Sequence, residues 1–409
     1  MKRILLPAIL ASLVAGSPVS GLNLGGSLKL SLGGFYNSSN ILDLPQQFEG
    51  KLEGTVGDPA FPDARYQVKV RARTKPFADG SLFQLREAWV KAFLGPIDLS
   101  FGNQIVTWGT TDLFSPEDLL NASDYTLPFD AEKIPALLLR ATARGRSWSL
   151  DLVGLPFWTM PTLPDARWLK PALSPPMGVA IVRTNLVTNA PAAAWSNVQF
   201  GARFKASVDV FQGIDLGVEY FQGFRSIPVQ TFSMRPAGTP GAMIAEMDLS
   251  FPRYQMIGAD LTVVLKEGLV FRAEGGYKTY DGAAWFADAT NTGAVQAVAA
   301  LEYPFFGIRA ILEYVLEWGN WGGLMATGGA TSHTGLLILS RDFGSRLSAK
   351  VAGGYRSDSS FFFVPQVQIT LADGLAVQFR TYLFFGEDGT TYGQFRDNKY
   401  GEMNMQFSF

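Results

Sequence analysis

The sequence predicts an all-β chain folded as a transmembrane antiparallel β-barrel, and three observations carry that expectation. Apolar and polar residues alternate with period two over segments of about nine to eleven residues, the length at which a tilted strand crosses a bilayer. Charged residues are 17% of the 409 and hydrophobic residues 47%, too few charges to solvate a soluble surface of that size. No run approaches the roughly 20 continuous apolar residues of a membrane-spanning helix, so strands must present the apolar surface. The apolar content excludes disorder, and a net charge of -2 gives no reason to expect nucleic acid as a partner.

The chain opens with Met1, Lys2 and Arg3, a short positive head, followed by an apolar run from Ile4 to Ala15 and then small and turn-forming residues to Gly21. This is the pattern of a secretory signal peptide over residues 1–21, with cleavage after Gly21 and a single barrel over 22–409. Cysteine is absent, which closes both the lipid-anchor route and a disulfide scaffold.

Alternation is clearest where charges mark it. Tyr66, Val68, Val70 and Ala72 share one face, and Gln67, Lys69, Arg71 and Arg73 the other. A helix would spread those charges all round, so strand is the economical reading. The same pattern covers Val198 to Val208, Leu269 to Tyr277, Ile308 to Trp318, Leu347 to Tyr355, Leu375 to Phe385 and Met403 to Phe409. Tight-turn signals join alternate pairs, at Gly95-Pro96, Arg144 to Arg146, Gln212-Gly213, Lys266 to Gly268, Pro304 to Gly307, Asp342 to Gly344 and Ala372 to Gly374. A looser turn lies at Gly57 to Ala64. Long polar or Pro/Gly-rich stretches separate the pairs, at Thr107 to Pro135, Leu155 to Ser196, Phe224 to Ser250 and Asn320 to Ser332. Short periplasmic turns on one side and long extracellular loops on the other give about 18 strands, with 14 or 16 as the alternatives. The hairpins near Phe48 to Val56 and near Ser340 decide between those counts.

With apolar residues toward lipid, the alternate positions line a lumen. The basic set there includes Lys69, Arg71, Arg73, Arg203, Lys205, Arg272, Arg309, Arg346, Lys350 and Arg380, joined by Lys91, Arg140, Arg144, Lys278 and Arg356. Fifteen basic positions face eleven acidic ones, among them Glu87, Asp151, Glu219, Asp260, Glu274 and Glu313. A wall with a basic surplus selects for anions, whereas mutual pairing would leave it weakly selective.

The most distinctive stretch runs from Phe101 through Gly102, Gln104, Trp108 and Gly109 to Pro116, Glu117 and Asp118. Parity points Gln104 and Trp108 inward. Ser115 suits a helix N-cap and Pro116 its first position, so a short helix is expected in a loop that folds into the pore. Asp112, Glu117, Asp118, Asp124, Asp130 and Glu132 make this loop acidic, opposing the basic wall across a constriction. Gln104, Trp108, Asp112, Glu117 and Asp118 are its candidate residues. An ordered lid packed on the rim is the plainer reading.

This stretch resembles a family of uncharacterised bacterial outer-membrane barrels with a G-x-Q-x-x-x-W-G signature followed by P-x-D. The motif-level likeness spans about residues 98 to 156. In outline the chain is similar to alginate-export and carbohydrate porins, which implies a single-chain barrel in the outer membrane. The final alternating strand, ending in Phe409, resembles the signal that barrel-assembly machinery reads in bacterial outer-membrane proteins.

Chemistry-bearing patterns are sparse. His333 is the only histidine and has no nucleophile at useful spacing, so no enzyme is expected. A His/Cys metal set is missing, and no cofactor motif is found. The expected partners are outer-membrane lipid and a small hydrophilic solute, with the chain a monomer or a trimer. Function is expected to be passive diffusion of small hydrophilic, anionic or carbohydrate solutes. A non-conducting surface-exposed structural or adhesin barrel is the first alternative, and a transporter of hydrophobic compounds the second.

Overall fold

Inside a bilayer every backbone N–H and C=O must be paired within the protein, so a wall of strands has to close on itself. In the computed structural model it does. The structure describes residues 23–36, 47–56, 66–75, 81–164, 168, 180–238, 242–265, 268–280, 293–319 and 331–409. The wall begins with β1 (Asn23–Phe35), β2 (Gln47–Val56), β3 (Tyr66–Lys75), β4 (Ser81–Leu94) and β5 (Ile97–Gln104). Two short strands in the next loop, β6 (Ser123–Asp124) and β7 (Glu132–Lys133), pair only with each other. The wall resumes with β8 (Ala136–Arg144) and β9 (Trp148–Leu155), and after β10 (Ala180–Asn189) with β11 (Gln199–Val208) and β12 (Ile214–Phe224). Beyond β13 (Val229–Pro236) and β14 (Ala242–Ser250) come β15 (Arg253–Val264), β16 (Val270–Tyr280), β17 (Gly293–Phe305) and β18 (Ile308–Gly319). The last five are β19 (Ser332–Phe343), β20 (Leu347–Arg356), β21 (Phe361–Ala372), β22 (Leu375–Phe385) and β23 (Tyr400–Ser408).

Eighteen of these form one antiparallel sheet, and β1 pairs with β23 to close it. The expected count of 18 therefore holds, including the hairpins of β2 with β3 and of β19 with β20. At the seam Gly26 and Phe409 exchange two backbone hydrogen bonds, 2.9 and 3.0 Å. A side chain on Gly26 would collide with the Phe409 ring, so this glycine is the close approach that lets the seam form.

Parity sorts the wall as alternation predicts. Val90, Phe101, Leu139, Phe200, Ile257 and Leu312 are exposed on the outer face. Glu87, Asp151, Arg203, Glu219, Glu274 and Asn404 are buried on the inner one. The inner face is not polar throughout, however. Leu137, Leu138 and Leu139 put leucine on both faces of β8 in succession, and Leu138 is fully buried inside.

The loops hold structure that the sequence reading left irregular. Segments within Leu155 to Ser196 and Phe224 to Ser250 supply β10, β13 and β14, a separate sheet in which β14 pairs parallel with β10 and antiparallel with β13. The expected helix after Ser115 does not form. A single turn, from the Asp118 N–H to the Ser115 carbonyl at 3.4 Å, stands in its place, and a short 3-10 turn spans Pro128–Asp130. The signal segment 1–21 and the turn at Gly57 to Ala64 lie outside the described residues, as does most of the loop at Asn320 to Ser332.

Leu139 sits mid-strand on the lipid face and is 55% exposed. Replacing it with arginine, Leu139→Arg, should cost about 2–4 kcal/mol, the charge being forced toward hydrocarbon. Folding into lipid vesicles, followed by the heat-dependent shift in electrophoretic mobility across a urea series, would register the loss.

Candidate functional site

The segment joining β5 to β8 leaves the wall after Gln104 and returns at Ala136. It runs across the lumen, and apolar side chains fasten it at three places. Val106, Trp108 and Leu120 pack with Leu138, Val153, Phe221, Tyr254 and Met256 of β8, β9, β12 and β15. Phe114 packs on Val298, Val315 and Leu336 of β17, β18 and β19. Phe129 lies among Trp168, Phe384 and Phe395, its ring centroid 4.4 Å from that of Phe384. Burying aromatic rings in this way favours one position of the loop over the many an aqueous lumen would allow.

Polar contacts then fix the path between those anchors. The Glu274 carboxylate of β16 accepts from the backbone N–H groups of Thr110 and Thr111 and, at 2.7 Å, from the Ser115 hydroxyl. Ser115 is thus a bridge to the wall rather than a helix cap. Gly109, at φ +101°, turns the chain onto this carboxylate, where any side chain would press against Ser115 and Glu274. Glu313 of β18 accepts from the Phe114 N–H at 3.4 Å. Asn121 ties the two ends of the loop together. Its Oδ1 accepts from the Val106 N–H at 2.8 Å, and its Nδ2 donates to the carbonyls of Gln104 and Ile134 at 3.0 Å each.

The candidate loop residues find distinct partners. Gln104 stays on the wall, its Oε1 accepting from the Ser100 hydroxyl at 3.0 Å. Trp108 Nε1 donates to Asp151 at 3.3 Å. Asp112 pairs with Arg272 at 3.3 Å, and Asp118 with Lys133 of the loop itself at 3.1 Å. Glu117 is 0% exposed and meets Arg203 at 3.5 Å, while Arg203 also contacts Asp260 at 2.5 Å and Glu219 at 4.0 Å. Burial pushes the Glu117 carboxyl well above the usual carboxylate range, Glu219 and Asp260 push it further, and Arg203 opposes them. Across the lumen, Asp130 reaches Arg380 at 2.5 Å, and Glu132 reaches Arg86 at 3.3 Å. Arg86 is the extra residue of a β-bulge, where Arg71 faces Glu87 and the next residue, Ala72, faces Leu85. Asp112, Glu117, Asp130 and Glu132 therefore meet wall cations in direct contact, not across an open gap, whereas Asp118 is matched within the loop.

The other candidate basic residues differ in what they meet. Arginines of the wall are matched by wall acids: Arg140 with Asp151 at 2.7 Å, Arg272 and Arg309 with Glu302 at 2.7 and 2.5 Å, and Arg380 with Glu402 at 2.5 Å. Lys69 and Arg71 share Glu87 at 3.6 and 2.9 Å. Four lysines differ. No described carboxylate lies within 4 Å of Lys29, Lys91, Lys205 or Lys350. Lys91, Lys205 and Lys350 each stand three residues from the short-turn end of their strands, and Lys29 pairs with Gln406, two before the end of β23. They mark one level near the short turns. Arg346 is placed in the exposed turn between β19 and β20, not on the strand wall as parity suggested, because the strand ends at Phe343. The Arg73 side chain lies outside the described residues. His333 faces outward at the long-loop end, its ring nitrogen 2.6 Å from the Tyr314 hydroxyl.

No protein-family model matches the chain, and no curated protein matches it. Among solved structures it is similar to the outer membrane protein OpdK of Pseudomonas aeruginosa, with a TM-score of 0.55 and 10% identity over 95% of this chain and 97% of that one. OpdL of the same organism gives a TM-score of 0.54 at 12% identity, covering 95% and 98%. OccK5 (OpdH), also from Pseudomonas aeruginosa, gives 0.54 at 9%, covering 95% and 96%. The likeness is one of fold, that of the outer-membrane β-barrel, and the apolar outer face agrees with it.

Docking of the loop should depend on pH through Glu117. Its proton is held when the loop is docked and released when the loop is free, so docking weakens as pH rises above the ordinary carboxylate range. Proteolysis within residues 105–135 should accelerate from pH 6 to pH 9 in the wild type. At each pH the Glu117→Gln variant should be cleaved more slowly than the wild type, with the largest difference at pH 9.

Proposed function

We propose that the barrel is an outer-membrane pore for passive diffusion of small hydrophilic solutes, with a mild preference for anions. One observation carries the reading: lysines with no described carboxylate within 4 Å stand at one level of a lumen most of whose candidate arginines are matched by acids. A neutralised pair contributes little net field, so the unmatched charges set the sign that a permeant ion meets. The loop through Trp108, Phe114, Glu117 and Phe129 narrows the long-loop half and limits solute size. The structure of OpdK with vanillate, an anion, lends the charge argument support by analogy of fold. On the same reading, residues 1–21 are an export signal removed after Gly21, and the strand ending in Phe409 is recognised by the assembly machinery.

Purified protein in a planar bilayer should give stepwise currents, and a KCl gradient should give a reversal potential of anion-preferring sign. The triple variant Lys91→Glu, Lys205→Glu, Lys350→Glu should move that potential to cation preference. A wild type that already prefers cations would contradict the lysine argument.

The second reading is a non-conducting barrel. It draws on the three apolar clusters that occupy the long-loop half of the lumen. Folded protein without current steps, in the wild type and in Phe129→Ala alike, would favour it.

A further inference from the structure

Two glycines interrupt the lipid face between β18 and β22, near its long-loop end. Gly335 of β19 stands between Tyr314 and Tyr355, and Gly353 of β20 between Leu337 and Phe363. Missing side chains at these two positions leave an apolar groove of ≈ 590 Å³, within the range of small-molecule sites. Its walls include outward side chains, with Leu312 58% and Tyr355 57% exposed. From Val351 to Tyr355 the groove follows β20 for about 13 Å. A Cβ on Gly335 would meet nothing within 4 Å, so the protein itself leaves this space unfilled. With hydrocarbon on the far side there is no hydrophobic drive to fill it, and close packing decides. A gap there forfeits dispersion contacts, and a flexible chain of the bilayer is the component that can enter from that side.

At its upper end the groove meets a cation. Phe361 opens β21 and Phe385 closes β22, and their rings stack with centroids 4.5 Å apart. Lys399 Nζ lies over the Phe385 ring, 4.5 Å from its centroid, and no described carboxylate stands within 4 Å of it. Attraction to the ring face holds the ammonium beside the groove. Only residues 357–360 join β20 to β21, so the connection above the groove is short. An apolar slot with one unmatched cation at its polar end fits an acyl chain joined to an anionic headgroup. The long loops of an outer-membrane barrel are extracellular, which sets the groove in the outer leaflet. That leaflet is built of phosphorylated, multiply acylated glycolipid.

We infer that this groove holds one acyl chain of a phosphorylated glycolipid of the outer leaflet, with a phosphate of that lipid on Lys399. The inference rests on the reading of the chain as an outer-membrane pore with its long loops outside, and adds a lipid partner to it.

The test is native mass spectrometry of the full chain in detergent, with lipid A, phosphatidylglycerol and phosphatidylcholine offered together at equal concentration. The wild type should carry one lipid A in preference to either phospholipid. Lys399→Gln, which leaves the groove intact, should weaken that adduct about fivefold, and Lys399→Arg should retain it. Gly335→Leu, which fills the groove and leaves the charge, should weaken it at least as much. A wild type without the adduct, or an adduct that survives either weakening substitution unchanged, would overturn the site. Phosphatidylglycerol held as tightly as lipid A would overturn the glycolipid assignment. Oligomers in place of the adduct, lost in Gly335→Leu, would give the groove to a second copy and likewise overturn it. Planar-bilayer currents from the same preparation keep the two readings apart. Currents without the adduct remove the site and leave the pore, whereas an adduct without currents removes the pore and leaves the site.

Discussion

Everything in this molecule follows from the demand that no backbone polar group face hydrocarbon unpaired. Eighteen strands closed by β1 and β23 meet it, and closure makes every strand a wall with one lipid face and one inner face. The two-residue period is then a sorting rule for chemistry. Apolar residues go to the lipid, and polar residues must find partners or water inside. Low charge content and abundant glycine are its compositional trace.

Within that wall the inner face falls into three regions of different physical character. The long-loop half beside β8, β9, β12 and β15 is an apolar core built around Trp108. Ion pairs dominate the middle, where Asp260, Asp112 and Asp130 meet Arg203, Arg272 and Arg380. Toward the short turns the lumen turns to lysines with no described carboxylate within 4 Å and to neutral amides. The loop 105–135 touches the first two regions, and Asp130 reaches the edge of the third.

The barrel was legible in the sequence because alternation is local. Gln199 to Val208 shows its two faces without help from any other strand. What escaped was long-range. Ser115 reads as a helix cap until Glu274, 159 positions away, takes its hydroxyl. Asn121 has no local mark, although it holds the loop's two ends. Leu137 to Leu139 carry a local mark of an inner apolar face that the reading of a charged wall passed over, since three leucines in a row cannot all point to lipid. The amides of β21 to β23 are ordinary singly, and become a surface only when the register aligns them. Paired arginines were beyond reach for the same reason, as a parity count of fifteen against eleven does not say which charges touch.

The loop's anchors lie on opposite sides of the wall: Trp108 and Glu117 on β9 to β15, Phe114 on β17 to β19, and Phe129 and Asp130 on β22. Such a segment is a cross-brace. Any change that widened the aperture by shortening or loosening it would also release three packed clusters that hold distant strands together. The width of the lumen and the rigidity of the wall are therefore tied to the same thirty-odd residues.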